Sequence, residues 1–189
     1  IALLFCYNEI TSALFGYGAF DAISVSNSAM ALYYFALGLP AFAIIKVFST
    51  FLFARDNTKT PFYYSLISVI INISISLLFF NKVGFLIIPI ATSISSWVNA
   101  LLLFFTIYSK KYFNFKSIFN FTILKIFLIS ITTIYFFKVL LNSFGGYLIY
   151  ESELKIYTII ILVVITIIIY ILLSFLTKTF KYSDIKLKY

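Results

Sequence analysis

Histidine is absent from this 189-residue chain, and cysteine occurs once, as Cys6. Without imidazole and with a single thiol, the chain cannot build an ordinary zinc cage, a histidine-activated nucleophile or an internal disulfide. Charge is scarce too. Asp, Glu, Lys and Arg make up 11% of the residues, against roughly 25% in a soluble domain. Apolar residues reach 63%, more than the interior of a soluble fold this size can hide. These shortages exclude most enzyme chemistry and point to an all-α integral membrane protein, a polytopic helical bundle.

Long apolar runs are what the chain has in place of those groups. Crossing a hydrocarbon core of about 30 Å takes about 20 helical residues. Five segments are expected to span: Ala29–Ala54, Phe62–Phe80, Gly84–Tyr108, Ile118–Leu141 and Ile156–Thr177. The second, third and fifth carry no charge. Lys125 and Lys138 lie within about two turns of the ends of the fourth, where a lysine can lift its ammonium to the interface. The opening run Ile1–Phe5 is too short to cross and reads as the cut end of a helix, so the chain is expected to be a fragment. Thr60 and Pro61 suit a helix start, with threonine as cap and proline at the first helical position.

The net charge of +8 raises the question of nucleic acid, but the lysines are scattered through short loops and form no stripe. They sort by side instead. Arg55, Lys59, Lys110, Lys111, Lys116, Lys178, Lys181, Lys186 and Lys188 fall on one side, and only Lys82 and Lys155 on the other, with Glu9, Asp21, Glu151 and Glu153. Nine cations against two predict, by the positive-inside bias, a cytoplasmic carboxy-terminus.

Several polar positions interrupt the apolar pattern. Ser65, Ser68, Asn72 and Ser76 share one face of the second span, and Thr92, Ser96 and Asn99 one face of the third, flanked by Ser93 and Ser95. Packing between helices and a path for a polar substrate both suit them. Pro40 removes a backbone hydrogen bond from the first span and is expected to kink it. Lys46 lies nine residues before Arg55, roughly 13 Å inside the membrane end at ~1.5 Å per residue. It either snorkels or faces a cavity or an acid elsewhere, since no acid lies in the five spans. Arg55, Asp56 and Lys59 sit in a short turn that is either a capped anchor or a gate closing on other loops.

Ala36-Leu37-Gly38-Leu39-Pro40, Lys46-Val47 and Phe53-Ala54-Arg55-Asp56-Asn57-Thr58-Lys59-Thr60-Pro61 form a distinctive series. With Phe15–Phe20 before it, and Gly84-Phe85, Ala91-Thr92-Ser93 and Ser96–Leu102 after it, the series resembles the MurJ/MviN lipid II flippases. These belong to the multidrug and polysaccharide exporter superfamily. The resemblance is specific over about residues 14–104; beyond that only hydropathy and spacing agree.

The resemblance implies part of a MATE-like two-lobe flippase fold: five full transmembrane helices and a truncated helix end. Residues 1–108 would be the end of the second lobe, and residues 109–189 a carboxy-terminal helix pair with a basic tail. It further implies translocation of an undecaprenyl-linked peptidoglycan precursor, lipid II, across the bacterial inner membrane by alternating access. The expected partners are lipid II, membrane lipids and the remaining amino-terminal part of the same protein. The expected state is a monomer with no cofactor, no metal, no catalytic residue and no nucleic acid. The candidate cavity or gating residues are Lys46, Pro40, Arg55, Asp56, Lys59, Asn72 and Asn99. Competing readings are an O-antigen-type polysaccharide flippase or MATE-type exporter and, from another class, a membrane-embedded glycosyl- or acyltransferase. The last would need placed acids, bases or a metal, and the few acids here are dispersed.

Overall fold

The computed structural model describes residues 2–112, 121–148, 152, 154–177 and 179. Lys116, Lys178, Lys181, Lys186, Lys188, Glu151 and Glu153, residues 118–120 of the expected fourth span and most of the basic tail lie outside the described residues. Among the described residues seven α-helices follow in order: α1 (Ala2–Phe5), α2 (Tyr7–Phe15), α3 (Ala22–Phe53), α4 (Lys59–Val83), α5 (Ile87–Ser109), α6 (Phe121–Ser143) and α7 (Lys155–Leu176). No strand occurs among the described residues.

Among the described residues four stretches are long and apolar enough to cross a membrane: Ala22–Phe53, Lys59–Ser109, Leu124–Ser143 and Lys155–Leu176. The second holds 51 residues, which as one rod would measure about 76 Å, more than twice a hydrocarbon core. It is two helices. Gly84 breaks the run at φ +70, a backbone conformation that costs glycine nothing, and one 3-10 turn, Gly84–Leu86, leads into α5. The bonds between α4 and α5 prove the reversal. Tyr64 meets Thr106, Ser68 meets Ser95 and Asn72 meets Thr92, so partner numbers fall as α4 advances.

The chain divides into two compact units, Asn27–Asn114 and Ile1–Ser26 with Phe115–Tyr189. In the first, α3, α4 and α5 run up, down and up. The α3–α5 partners rise together: Tyr34 with Ser93, Leu37 with Trp97, Phe48 with Phe104 and Phe51 with Tyr112. α3 and α5 are therefore parallel. In the second unit, α6 and α7 form an antiparallel pair. Cys6, Phe137, Leu141 and Leu162 make its small core, and Ile10, Leu140 and Leu148 pack against it.

Helix ends differ from the expected ones for local reasons. α3 begins seven residues before Ala29 because Asp21 caps it: its Oδ1 accepts the Ser24 N–H at 2.8 Å, and its carbonyl accepts the Val25 N–H. α4 begins at Lys59, so Pro61 is its third residue. The cap of α4 comes from Asn57 Oδ1, which accepts the Thr60 N–H at 3.2 Å. Thr60 thus receives a cap instead of providing one. Pro40 lies inside α3, which stays helical on both sides of it.

Candidate functional site

Among the described residues, the polar groups of the three-helix unit gather along two seams of α5. The seam with α4 joins Asn72 Nδ2 to Thr92 Oγ1 at 3.0 Å and to Ser95 Oγ at 3.4 Å. Ser68 Oγ donates to the Ser95 carbonyl at 2.8 Å, and the Tyr64 and Thr106 hydroxyls meet at 2.8 Å. The seam with α3 has a tight approach at Gly38. A Cβ built on Gly38 would stand 2.8 Å from Ser93 Oγ and 3.2 Å from Ser93 Cα. Ser93 Oγ donates to the Tyr34 carbonyl, and Trp97 Nε1 donates to the Leu37 carbonyl at 3.0 Å.

Ser93 and Ser95, which the helical stripe left at its flanks, therefore carry the contacts between helices, whereas Ser96 turns back onto the Thr92 carbonyl of its own helix. A serine one position off a stripe sits 100° round the helix, where a second neighbour takes it. Asn99 is 5% exposed, and its Oδ1 has no hydrogen-bond partner among the described residues; Ser76 Oγ is likewise buried and unpartnered. Such an orphan acceptor carries a desolvation cost that a donor would relieve.

The loop between α3 and α4 is built like its counterpart after α5. Asp56 adopts φ +58; its N–H bonds the Phe53 carbonyl, and the Asn57 N–H bonds the Leu52 carbonyl, each at 3.0 Å. Lys111 adopts φ +50; its N–H bonds the Tyr108 carbonyl and the Tyr112 N–H bonds the Ile107 carbonyl. Both are Schellman closures with a charged residue where glycine is usual. The Arg55 guanidinium lies between two rings, 4.8 Å from the Phe51 centroid and 4.5 Å from that of Tyr112, tying the end of α3 to the end of α5. Arg55, Asp56 and Lys59 form no ion pair with one another. A cleft of about 600 Å³ opens beside Lys59, lined also by Ser49, Thr58, Ser65 and the rings of Phe53, Phe62 and Tyr63; Arg55 and Asp56 do not line it. Arg55, Lys59, Lys110 and Lys111 thus collect at one end of the unit, while Lys82 lies at the other, beside Gly84.

Lys46 and Pro40 both lie on exposed parts of α3. Among the described residues Lys46 has no acid beside it, and its carbonyl accepts the Thr50 hydroxyl at 2.8 Å.

In the other unit, Lys155 is only 1% exposed. Its ammonium donates to the Gly16 carbonyl and rests 4.1 Å from the centre of the Tyr17 ring. Its place at the head of an apolar run had marked it as a loop charge, so its burial was not legible. Lys125 Nζ reaches the Thr177 carbonyl at 3.1 Å, where a cation suits the end of α7. Lys138 Nζ lies over the Phe5 ring at 5.8 Å.

One unit with a hairpin, a parallel helix and internal polar seams, and another built on an apolar hairpin, define a polytopic helical membrane protein. The family model described as Lipid II flippase MurJ matches residues 1–159, and the chain belongs to that family. A relative from Rhizobium meliloti (strain 1021), "Probable lipid II flippase MurJ", is 41% identical over 106 residues, covering 56% of this chain and 20% of its own length. A relative of the same description from Rhizobium tropici is 36% identical over 110 residues, covering 58% and 21%. A solved structure titled "Lipid II flippase MurJ, inward closed conformation" superposes with a TM-score of 0.69 at 28% identity, over 92% of this chain and 34% of that one. The chain thus spans about a fifth of the curated relatives and a third of the solved one.

Proposed function

We propose that the chain forms the carboxy-terminal part of a lipid II flippase of the bacterial inner membrane. The observation that carries this reading is the family match over residues 1–159. The physical problem such a protein solves is desolvation. A sugar-peptide-pyrophosphate headgroup cannot enter hydrocarbon without a cost far above thermal energy, while its polyprenyl tail is at home there. Alternating access by two helical lobes moves the headgroup through water and leaves the tail in lipid.

In this reading α3, α4 and α5 belong to the second lobe, and α6 and α7 to a terminal pair with a cytoplasmic basic tail. Nine cations on one side against two on the other support that orientation. Lys46, exposed on α3 with no acid nearby, faces the headgroup path, and the orphan Asn99 Oδ1 takes a donor from the rest of the protein. Arg55, Asp56 and Lys59 edge a cytoplasmic gate, with Lys59 at the cleft. Pro40 is the flexible point of α3. Asn72 is a seam residue whose amide holds α4 to α5. The partners are lipid II, membrane lipids and the remainder of the same polypeptide, acting as a monomer.

The test is rescue of cells depleted of their own lipid II flippase by the full-length protein that carries this segment. Rescue is the expected outcome, with Lys46→Met reducing it. Membrane insertion without rescue would overturn the transport reading. Full rescue by Lys46→Met would remove Lys46 from the path.

A further inference from the structure

Pro40 has no N–H, so the Ala36 carbonyl one turn earlier loses its helical donor, and the pyrrolidine ring crowds that turn. Such a residue is the usual origin of a sharp bend. Yet α3 runs helical from Ala22 to Phe53. Two carbonyls of the weakened turn are held from outside. Tyr34 O accepts from Ser93 Oγ, and Leu37 O accepts from Trp97 Nε1 at 3.0 Å. The Leu37 carbonyl would ordinarily bond the Ala41 N–H, the first donor past the ring and the bond most exposed to its wedge. Ser93 and Trp97 are four apart and so share one face of α5. Gly38 lets that face come near enough, since a Cβ there would strike Ser93.

We propose that Ser93 and Trp97 are positioning residues that clamp the proline joint of α3 onto α5. Trp97 gives the Leu37 carbonyl, next to the orphaned Ala36 carbonyl, a donor from outside α3. With the clamp closed, α3 and α5 move as one body; with it open, Pro40 is a hinge. The half of α3 beyond the joint carries Lys46, and its far end is already tied to α5 through Arg55 between Phe51 and Tyr112. The clamp bonds hold the turn before the joint and the Arg55 tie holds the end beyond it, so the clamp sets the angle between the two halves. In hydrocarbon no water competes for the Leu37 carbonyl, so losing the indole donor leaves it only the helical bond most exposed to the proline ring. The consequence for transport rests on the flippase reading; the clamp itself does not.

The experiment is a double-mutant cycle in the full-length protein, pairing Trp97→Phe with Pro40→Ala. Phenylalanine keeps the ring and deletes the donor, and alanine restores the missing N–H. Two readouts are taken from purified protein with Cys6→Ala: the unfolding equilibrium, and the distance between spin labels at Met30→Cys and Val47→Cys, exposed positions on either side of the joint. In the Pro40 background, Trp97→Phe is expected to lower the folded-to-unfolded ratio about threefold to tenfold, the span of one membrane hydrogen bond, and to broaden the label distances. With Pro40→Ala present the same change should cost less than about twofold, and the distances should narrow again. Ser93→Ala should follow the same pattern. Equal losses in both backgrounds, or a label distance that stays narrow in Trp97→Phe, would overturn the clamp. The rescue experiment with unmutated protein is read separately, so the transport reading can fail while the clamp stands.

Discussion

Gly38 packs tightly against Ser93 of α5, and its missing Cβ is what permits the approach. Alanine there would put a carbon 2.8 Å from Ser93 Oγ and 3.2 Å from Ser93 Cα. The hydroxyl can move aside, but the backbone carbon cannot, so Gly38→Ala is expected to destabilise the protein by about 1–3 kcal/mol. Adding Ser93→Ala should recover only part of that, as chemical unfolding in detergent would show. Asp56 and Lys111 pose the opposite case. Each holds a positive φ that glycine adopts freely and other residues adopt at a cost of roughly 1–2 kcal/mol. Asp56 also places a negative charge at the end of α3, against the helix dipole. Asp56→Gly and Lys111→Gly should each therefore stabilise the fold by about 0.5–1 kcal/mol. If Asp56 serves the proposed gate, its glycine variant will fold better and transport worse. Unfolding and rescue measured on the same variant separate the two effects.

Helix capacity is what the sequence states most clearly, because a run of apolar residues long enough to span has few alternatives in lipid. Among the described residues each expected span falls on a helix, but the ends moved wherever one side chain decided the boundary. Asp21 extended α3 by seven residues, and Asn57 took the capping role assigned to Thr60. The nine-residue α2 left no mark in the hydropathy reading, being too short to cross and partly polar. Polar seams were legible as stripes, yet which neighbour each residue meets depends on packing. Period alone could not send Ser93 to α3 and Ser95 to α4. Nor could it show that Trp97, read only as part of a motif, would bond a backbone carbonyl. The Asp21 cap carries its own prediction. Its bonds from Ser24 hold the carboxyl below the ordinary carboxylate range. A depressed pKa means the cap is at full strength above the unfolded value and fails as pH falls through the folded one. Slowed amide exchange at Ser24 and Val25 should therefore persist at neutral pH and disappear in acid. Asp21→Asn, which keeps the acceptor without the proton, should retain it at both. Equal protection in the parent at the two pH values, each taken relative to the unfolded chain's rate at that pH, would remove the charge from this account.

At the scale of the whole molecule the decisive quantity is direction in the membrane. Arg55, Lys59, Lys110 and Lys111 meet at one end of the three-helix unit because α4 reverses and α5 returns parallel to α3. Lys82 stays alone at the other end beside the Gly84 turn. An ammonium costs roughly 2.5–3.5 kcal/mol at the centre of a bilayer, and the cytoplasmic leaflet attracts cations near its surface by about 1 kcal/mol each. Four cations at one end against one at the other are therefore expected to set the direction of insertion. Two single-cysteine proteins test this, each with Cys6→Ala: Asn57→Cys in the loop after α3 and Gly146→Cys in the turn after α6. An odd number of crossings, through α4, α5 and α6, separates the two sites. A membrane-impermeant thiol reagent added to intact cells should label Gly146→Cys and spare Asn57→Cys until the membrane is opened. The reverse pattern would invert the orientation and place Lys46 near the outer surface. Labelling of both in intact cells would mean that α4, α5 and α6 do not together make three crossings, and the two-lobe reading would lose its geometric basis.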